Sequence, residues 1–191
     1  MELEAFYREL PEGDLWIFGY GSLMWAPGFA YAERRPARAF GYHRALCILS
    51  NRYRGTPERP GLVVGLRRGG SCHGMAYRVP AARVHRVLRA LWRREMGTRV
   101  YRARLIRIAI GGRRVRALAF VADPGHRQYV DGLDLHARAR LVAQGIGRRG
   151  RSLDYVRRTL ERMAQIGVRD PHLERVWSVA QAIATQQTEP R

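Results

Sequence analysis

The sequence predicts an α+β fold, a mainly antiparallel sheet or small β-barrel flanked by helices, on three observations. Strand-like apolar runs cluster early in the chain, helical stripes gather toward its end, and two of the runs flank Gly111-Gly112, a two-residue hairpin signal. With 191 residues and 46% hydrophobic content the chain can fill one sizeable core. We expect a single domain over residues 1–184, with a frayed tail at 185–191.

The elements follow in order. Glu2 to Leu10 reads as a short helix. Leu15, Trp16, Ile17 and Phe18 form a buried strand that breaks at Gly19-Tyr20-Gly21-Ser22, where glycines expose backbone N–H groups. Further strands are expected at Ala37 to Leu49, Leu62 to Leu66, Cys72 to Val79, Val100 to Ile110 and Arg114 to Ala122. Asn51 to Gly61, with two glycines and two prolines, is a loop. Three helices stand out. The first runs from Pro80 to about Met96, with Val84, Val87, Leu88, Leu91 and Trp92 at helical spacing and Gly97 as its terminator. The second starts after Ser152, an N-cap residue type, with Leu153, Val156, Leu160 and Met163 on one face. Asp170-Pro171 opens the third, whose stripe is Leu173, Val176, Trp177, Ala180 and Ile183.

Composition narrows the function classes. The net charge of +19 suggests a polyanionic partner, but all 35 basic residues are arginine and none is lysine, a bias that a GC-rich genome produces. The arginines run from Arg8 to Arg191 without a dense tract or an aromatic platform, so nucleic-acid binding is expected to be non-specific if it occurs at all. An anionic small substrate fits the charge equally well. No stretch reaches the roughly 20 apolar residues of a membrane span, and MELEAFYREL lacks the order of a signal peptide, so a cytoplasmic protein with no membrane partner is expected. Cys47 and Cys72 lack CxxC spacing and read as buried, reduced thiols rather than metal or redox groups.

Two constellations could carry chemistry. Glu95 lies seven residues after Leu88 and four after Leu91, which places a carboxylate in the middle of an apolar helical stripe. Either the helix has reached solvent by its last turn, or Arg93, Arg94 or Arg99 pairs with Glu95, or the carboxylate faces the core for a chemical reason. If burial governs, Glu95→Gln stabilises the protein slightly by removing a desolvated charge. The second constellation is Phe18-Gly19-Tyr20-Gly21-Ser22-Leu23. Its glycines permit a tight turn for conformational reasons alone, and consecutive N–H groups there can also cradle an anion.

The segments WIFGYGSLMWAPGF (Trp16 to Phe29), GYHRALCILSNRYRGTPERPGLVVGL (Gly41 to Leu66), LWRREMG (Leu91 to Gly97) and RGRSLDYV (Arg149 to Val156), in this order, resemble the ChaC-type γ-glutamylcyclotransferases, which act on glutathione. The resemblance covers nearly the whole chain and implies that family's fold. It also implies that Tyr20, Gly21, Ser22 and Leu23 bind the γ-glutamyl group and that Glu95, in the Arg94-Glu95 pair, is the essential glutamate. Arg54, Tyr101 and Tyr155 are carried over as further substrate-binding candidates, although the gap from Glu95 to Tyr101 is longer than in the common form. On helical periodicity alone Tyr155 is a half-exposed residue opposite the apolar stripe, and Arg54 is one surface arginine among many. Ser152 stands where asparagine is common, Asp154 where glutamate is, and Asn51-Arg52-Tyr53 replaces a serine-threonine-aspartate-histidine string.

The chemistry so implied is cyclisation of the γ-glutamyl group of glutathione to 5-oxoproline with release of Cys-Gly, Glu95 moving the proton, and no metal or cofactor required. Other γ-glutamyl amines as substrates, a basic nucleic-acid binder, and a catalytically dead ligand-binding relative are the alternatives. Oligomeric state is not legible.

Overall fold

The computed structural model describes residues 3–186, and its backbone divides into two compact units, Met1–Arg44 with Leu66–His126, and Ala45–Gly65 with Arg127–Arg191. The boundary falls inside two long strands. In the chain's order the elements are α1 (Leu3–Tyr7), β1 (Leu15–Gly19), a 3₁₀ turn (Ser22–Met24), β2 (Glu33–Ser50), β3 (Gly61–Val79), α2 (Ala81–Glu95), β4 (Tyr101–Ile110), β5 (Arg113–Ala122), α3 (Leu135–Gln144), β6 (Ile146–Gly147), β7 (Gly150–Arg151), α4 (Ser152–Gln165) and α5 (Pro171–Gln186).

The first unit is built on a closed five-stranded barrel in the order β1-β3-β2-β4-β5, sealed by the parallel pairing of β1 with β5. Closure removes the sheet edges that an open sheet would expose. The β4–β5 hairpin pairs Tyr101 with Ala122 through Ile110 with Arg113, and its turn residues Gly111 and Gly112 have φ of +52° and +82°, the left-handed region a two-residue turn requires. The segments Leu62 to Leu66 and Cys72 to Val79 prove to be one strand. The strand continues through Arg67-Arg68-Gly69-Gly70, with Gly69 and Gly70 at φ +98° and +68°, a distortion that glycine tolerates without ending a strand. Helix α2 buries Val84, Val87, Leu88 and Leu91 against Leu15, Ile17, Leu118 and Phe120, as its spacing predicts. Trp92 is only partly buried and packs on Phe6 and Phe120, with ring centroids 5.4 and 6.4 Å away. The helix ends at Glu95 with Met96 as its C-cap, and the left-handed residue beyond it is Arg99, at φ +58°, rather than Gly97.

In the second unit α3, α4 and α5 pack on one another. Helix α3 was not legible from periodicity. It begins at a cap, Asp134, whose carboxylate accepts the Ala137 N–H at 2.7 Å. Asp170 caps α5 in the same way, accepting from Leu173 N at 3.1 Å, as its sequence suggests. Ser152 does not act as an N-cap. It is the first helical residue of α4, fully buried, and its hydroxyl donates to Leu62 O at 2.6 Å while accepting from Leu62 N at 3.2 Å. This rotates the buried face of α4 to Ser152, Tyr155, Val156, Thr159 and Met163, leaving Leu153 and Leu160 partly exposed. Polar residues can enter that face because their groups are satisfied, Thr159 bonding Tyr155 O at 2.8 Å. We expect Ser152→Ala to cost about 1–3 kcal/mol, because a buried N–H and C=O lose their partner. Urea unfolding monitored by far-UV circular dichroism measures it, and an unchanged midpoint would show that water replaces the hydroxyl.

Thr185 and Gln186, expected in a frayed tail, are the last residues of α5, and residues 187–191 lie outside the described residues. Among the described residues no helix is long and apolar enough to cross a membrane.

Candidate active site

The loop after β1 is folded by contacts that strands of the barrel supply. Gly19 has to be glycine because a Cβ there would lie 2.8 Å from Leu23 Cβ, so the chain could not turn back over itself. Tyr20 is buried, its hydroxyl donating to Phe120 O on β5 and its carbonyl accepting from Arg44 Nε on β2 at 2.7 Å. Tyr77 on β3 donates to Leu23 O at 2.7 Å and Met24 O at 3.1 Å. The 3₁₀ turn closes through Met24 N to Gly21 O at 2.9 Å and Ala26 N to Ser22 O at 2.8 Å. Within the described residues these bonds leave the N–H groups of Gly21, Ser22 and Leu23 without an acceptor, consistent with consecutive donors available to an anion.

Glu95 ends α2, and its side chain is 16% exposed. Two of the readings offered by its spacing hold together: it lies on the inward side of the helix, and it pairs with an arginine, Arg94, at 2.9 Å between Nε and Oε1. The same guanidinium donates to Ala26 O at 2.7 Å, Pro27 O at 2.9 Å and Ser22 Oγ at 3.0 Å. The structure therefore brings Glu95 and the Tyr20–Leu23 loop to one arginine. Arg44, Tyr77 and the four-point role of Arg94 escape sequence reasoning. For Arg44 and Arg94 the only signal is their place inside the quoted motifs; a tyrosine in a strand, such as Tyr77, gives none.

Tyr101 opens β4, packs against the core cluster that includes Leu23 and Leu91, and lines a groove of about 770 Å³ with Trp92, Arg93, Met96 and Arg102.

Arg54 and Tyr155 belong to the second unit and are brought together there. The Arg54 guanidinium sits 5.5 Å from the Tyr155 ring centroid and donates to Arg151 O at 3.3 Å. Burial draws the Arg54 pKa below its ordinary value, with Tyr155 opposing, and the group remains a cation. Tyr155 is 6% exposed, so the half-exposed reading fails; the rotation of α4 that buries Ser152 turns Tyr155 inward too. Glycines make this turn possible. A Cβ on Gly61 would lie 2.1 Å from Arg54 O, one on Gly145 2.4 Å from the same oxygen, and one on Gly147 2.5 Å from the Tyr53 carbonyl carbon.

The model of the ChaC-like protein family matches residues 15–183. The chain is 36% identical over 163 residues to the glutathione-specific gamma-glutamylcyclotransferase of Escherichia coli strain K12, covering 85% of this chain and 71% of that protein. It is 33% identical over 172 residues to glutathione-specific gamma-glutamylcyclotransferase 1 of Homo sapiens, covering 85% and 78%. Its fold matches a gamma-glutamyl cyclotransferase specific to glutathione from yeast with a TM-score of 0.85 at 18% identity, over 93% of this chain and 100% of that one. With the family model spanning most of its length and relatives a third identical across most of theirs, this chain belongs to the ChaC-like γ-glutamylcyclotransferase family.

Proposed function

We propose that the protein cyclises the γ-glutamyl group of glutathione, releasing 5-oxoproline and Cys-Gly, with Glu95 as the group that moves the proton. The relatives named for this activity support the substrate. The observation that carries the residue assignment is the inward-facing Glu95 carboxylate, joined through Arg94 to the loop Tyr20–Leu23.

The substrate's α-amine arrives as an ammonium. Glu95 takes one of its protons, and the freed nitrogen attacks the γ-carbonyl carbon to form a tetrahedral oxyanion. When the oxyanion collapses, the bond from the γ-carbon to the cysteine nitrogen breaks and Glu95 returns the proton to that departing nitrogen; the second proton of the ring nitrogen follows by way of the same carboxylate, leaving a lactam N–H and Cys-Gly as an ammonium. No net proton is gained or lost by the protein. Nucleophile and electrophile share one molecule, so most of the advantage comes from holding the ring-forming conformer, for which effective molarities reach about 10⁵ M or more. The N–H groups of Gly21, Ser22 and Leu23 are the donors suited to a substrate carboxylate or the developing oxyanion.

In the second unit, Arg54 is the cation suited to a substrate carboxylate, fixed by Tyr155 and the Arg151 carbonyl. Arg54→Ala is expected to raise KM at least about 10-fold, the size of one lost charge-assisted hydrogen bond, while leaving kcat within a few-fold. An unchanged KM removes Arg54 from binding.

Incubating the purified protein with glutathione, γ-glutamylcysteine and γ-glutamyl amines lacking cysteine, and assaying 5-oxoproline, tests the substrate. The charge of +19 recommends a parallel arm with DNA. Raising salt from roughly 0.05 to 0.3 M should abolish DNA retention, which rests on counterion release. Turnover should fall much less, because short-range contacts are little affected by screening at a Debye length of about 8 Å. Salt-resistant DNA binding with no 5-oxoproline from any substrate would replace the enzyme with a nucleic-acid-binding module.

A further inference from the structure

Neighbouring residues on a helix point about 100° apart and do not normally face each other. Adjacency alone therefore does not bring Arg94 to Glu95. The Arg94 side chain nevertheless places Nε 2.9 Å from Glu95 Oε1, and both side chains are largely buried, at 17% and 16% exposure. Its remaining nitrogens are committed to the loop side. One donates to Ala26 O and Pro27 O at 2.7 and 2.9 Å, the other to Ser22 Oγ at 3.0 Å. The loop is shaped to receive the guanidinium: Gly28, at φ +73°, comes so close that a Cβ on it would lie 3.1 Å from Arg94 Nη1.

The anchors of the loop divide by origin. Arg44 and Tyr77 hold Tyr20 O and Leu23 O from strands of the barrel, whereas Arg94 ties the same segment to the helix that carries Glu95. A guanidinium is planar and rigid, so one that is hydrogen-bonded to the loop at both terminal nitrogens and paired by charge with the carboxylate beside Nε holds Glu95 at a set distance from the loop. An ammonium on a flexible stem keeps the charge but cannot reproduce that fork.

We propose that Arg94 is a positioning residue of the cyclisation, whose guanidinium sets the Glu95 carboxylate at a fixed place relative to the loop Tyr20–Leu23. The proposal rests on the reading of Glu95 as the proton-transfer group. A misplacement of about 1 Å in a reacting group costs on the order of 10²-fold in rate. Losing the fork should therefore appear in kcat, while loop contacts made by Arg44 and Tyr77 keep KM near its original value.

Steady-state kinetics on glutathione with Arg94→Lys, Glu95→Asp, their double variant, Gly28→Ala and Glu95→Gln test this, with circular dichroism melts on each. Arg94→Lys should lower kcat at least about 10-fold with KM changed less than about 3-fold. Glu95→Asp withdraws the carboxylate by one methylene, beyond Nε, so Arg94→Lys added to it should cost little more. A role in folding alone would instead multiply the two losses, because it does not pass through residue 95. Gly28→Ala presses on the guanidinium from the exposed side of the loop and should lower kcat several-fold even if Arg94→Lys fails to fold. Near-normal kcat in both Arg94→Lys and Gly28→Ala, or fully multiplied losses in the double variant, overturns the proposal. Near-normal activity in Glu95→Gln instead overturns the reading of Glu95 itself, and Arg94 as its positioner falls with it.

Discussion

Glu95→Gln is expected to lower kcat at least about 10²-fold in a folded protein, because the carboxamide keeps the shape of the side chain but cannot take a proton from the substrate ammonium. The effect belongs in kcat rather than KM, since the lost step is proton transfer and the loop that holds the γ-glutamyl group is untouched. Single-turnover release of 5-oxoproline reads it directly, and turnover within a few-fold of the original removes Glu95 from the mechanism. The same variant has a second readout whose sign the structure reverses. Burial considered alone makes removal of the carboxylate charge stabilising. The Glu95 charge, however, faces Arg94 at 2.9 Å, with both side chains mostly shielded from water. Breaking such a pair leaves a buried cation with weaker compensation, so a loss of stability is now expected. It should stay below the cost of deleting the partner outright, because the Ala26, Pro27 and Ser22 acceptors of the guanidinium remain.

Gly61→Ala should be strongly damaging in the second unit, costing more than about 4 kcal/mol, a size that belongs to a named steric fault rather than to ordinary substitutions. Its Cβ would lie 2.1 Å from Arg54 O, 2.9 Å from Arg54 C and 3.0 Å from Ser152 Cβ, and two of these are backbone atoms that cannot swing aside. Gly125→Ala is the control, since its nearest neighbour is Asp123 Oδ1 at 3.6 Å; it should fall within about 0.5 kcal/mol of the original. Chemical denaturation of both variants decides the matter. Equal stability would mean that the Arg54 loop can move away from β3 at little cost, and Arg54 would then lose its standing as a fixed cation.

The sequence was most readable where a feature depends on near neighbours. The period of α2, the Gly111-Gly112 turn and the inward position of Glu95 all follow from spacings of seven residues or fewer. Helix α3 escaped because its buried residues are Ala139, Val142 and Ala143, too small to stand out between Arg138 and Arg140. Ser152 was misread because its partner, the Leu62 backbone, is 90 residues away in the chain, and no local rule weighs a distant bond against a cap. That error carried Tyr155 with it, since both lie on the face of α4 that the bond turns inward. For the candidate site, the residue types and their motifs were legible. The grouping of Arg94 with Ser22, 72 residues apart, required coordinates.

Neither cysteine is exposed, Cys47 at 1% and Cys72 at 3%, and they fall in different units of the chain. Each thiol is therefore a built-in clock for the opening of its own unit. A maleimide in excess can react only when the surrounding structure lets it in, so labelling rates report local opening free energies rather than thiol reactivity. Peptide mapping of the labelled protein would separate the Cys47 rate from the Cys72 rate in one experiment. Equal rates would show that the two units open as one cooperative body, and unequal rates would rank them without any change to the sequence.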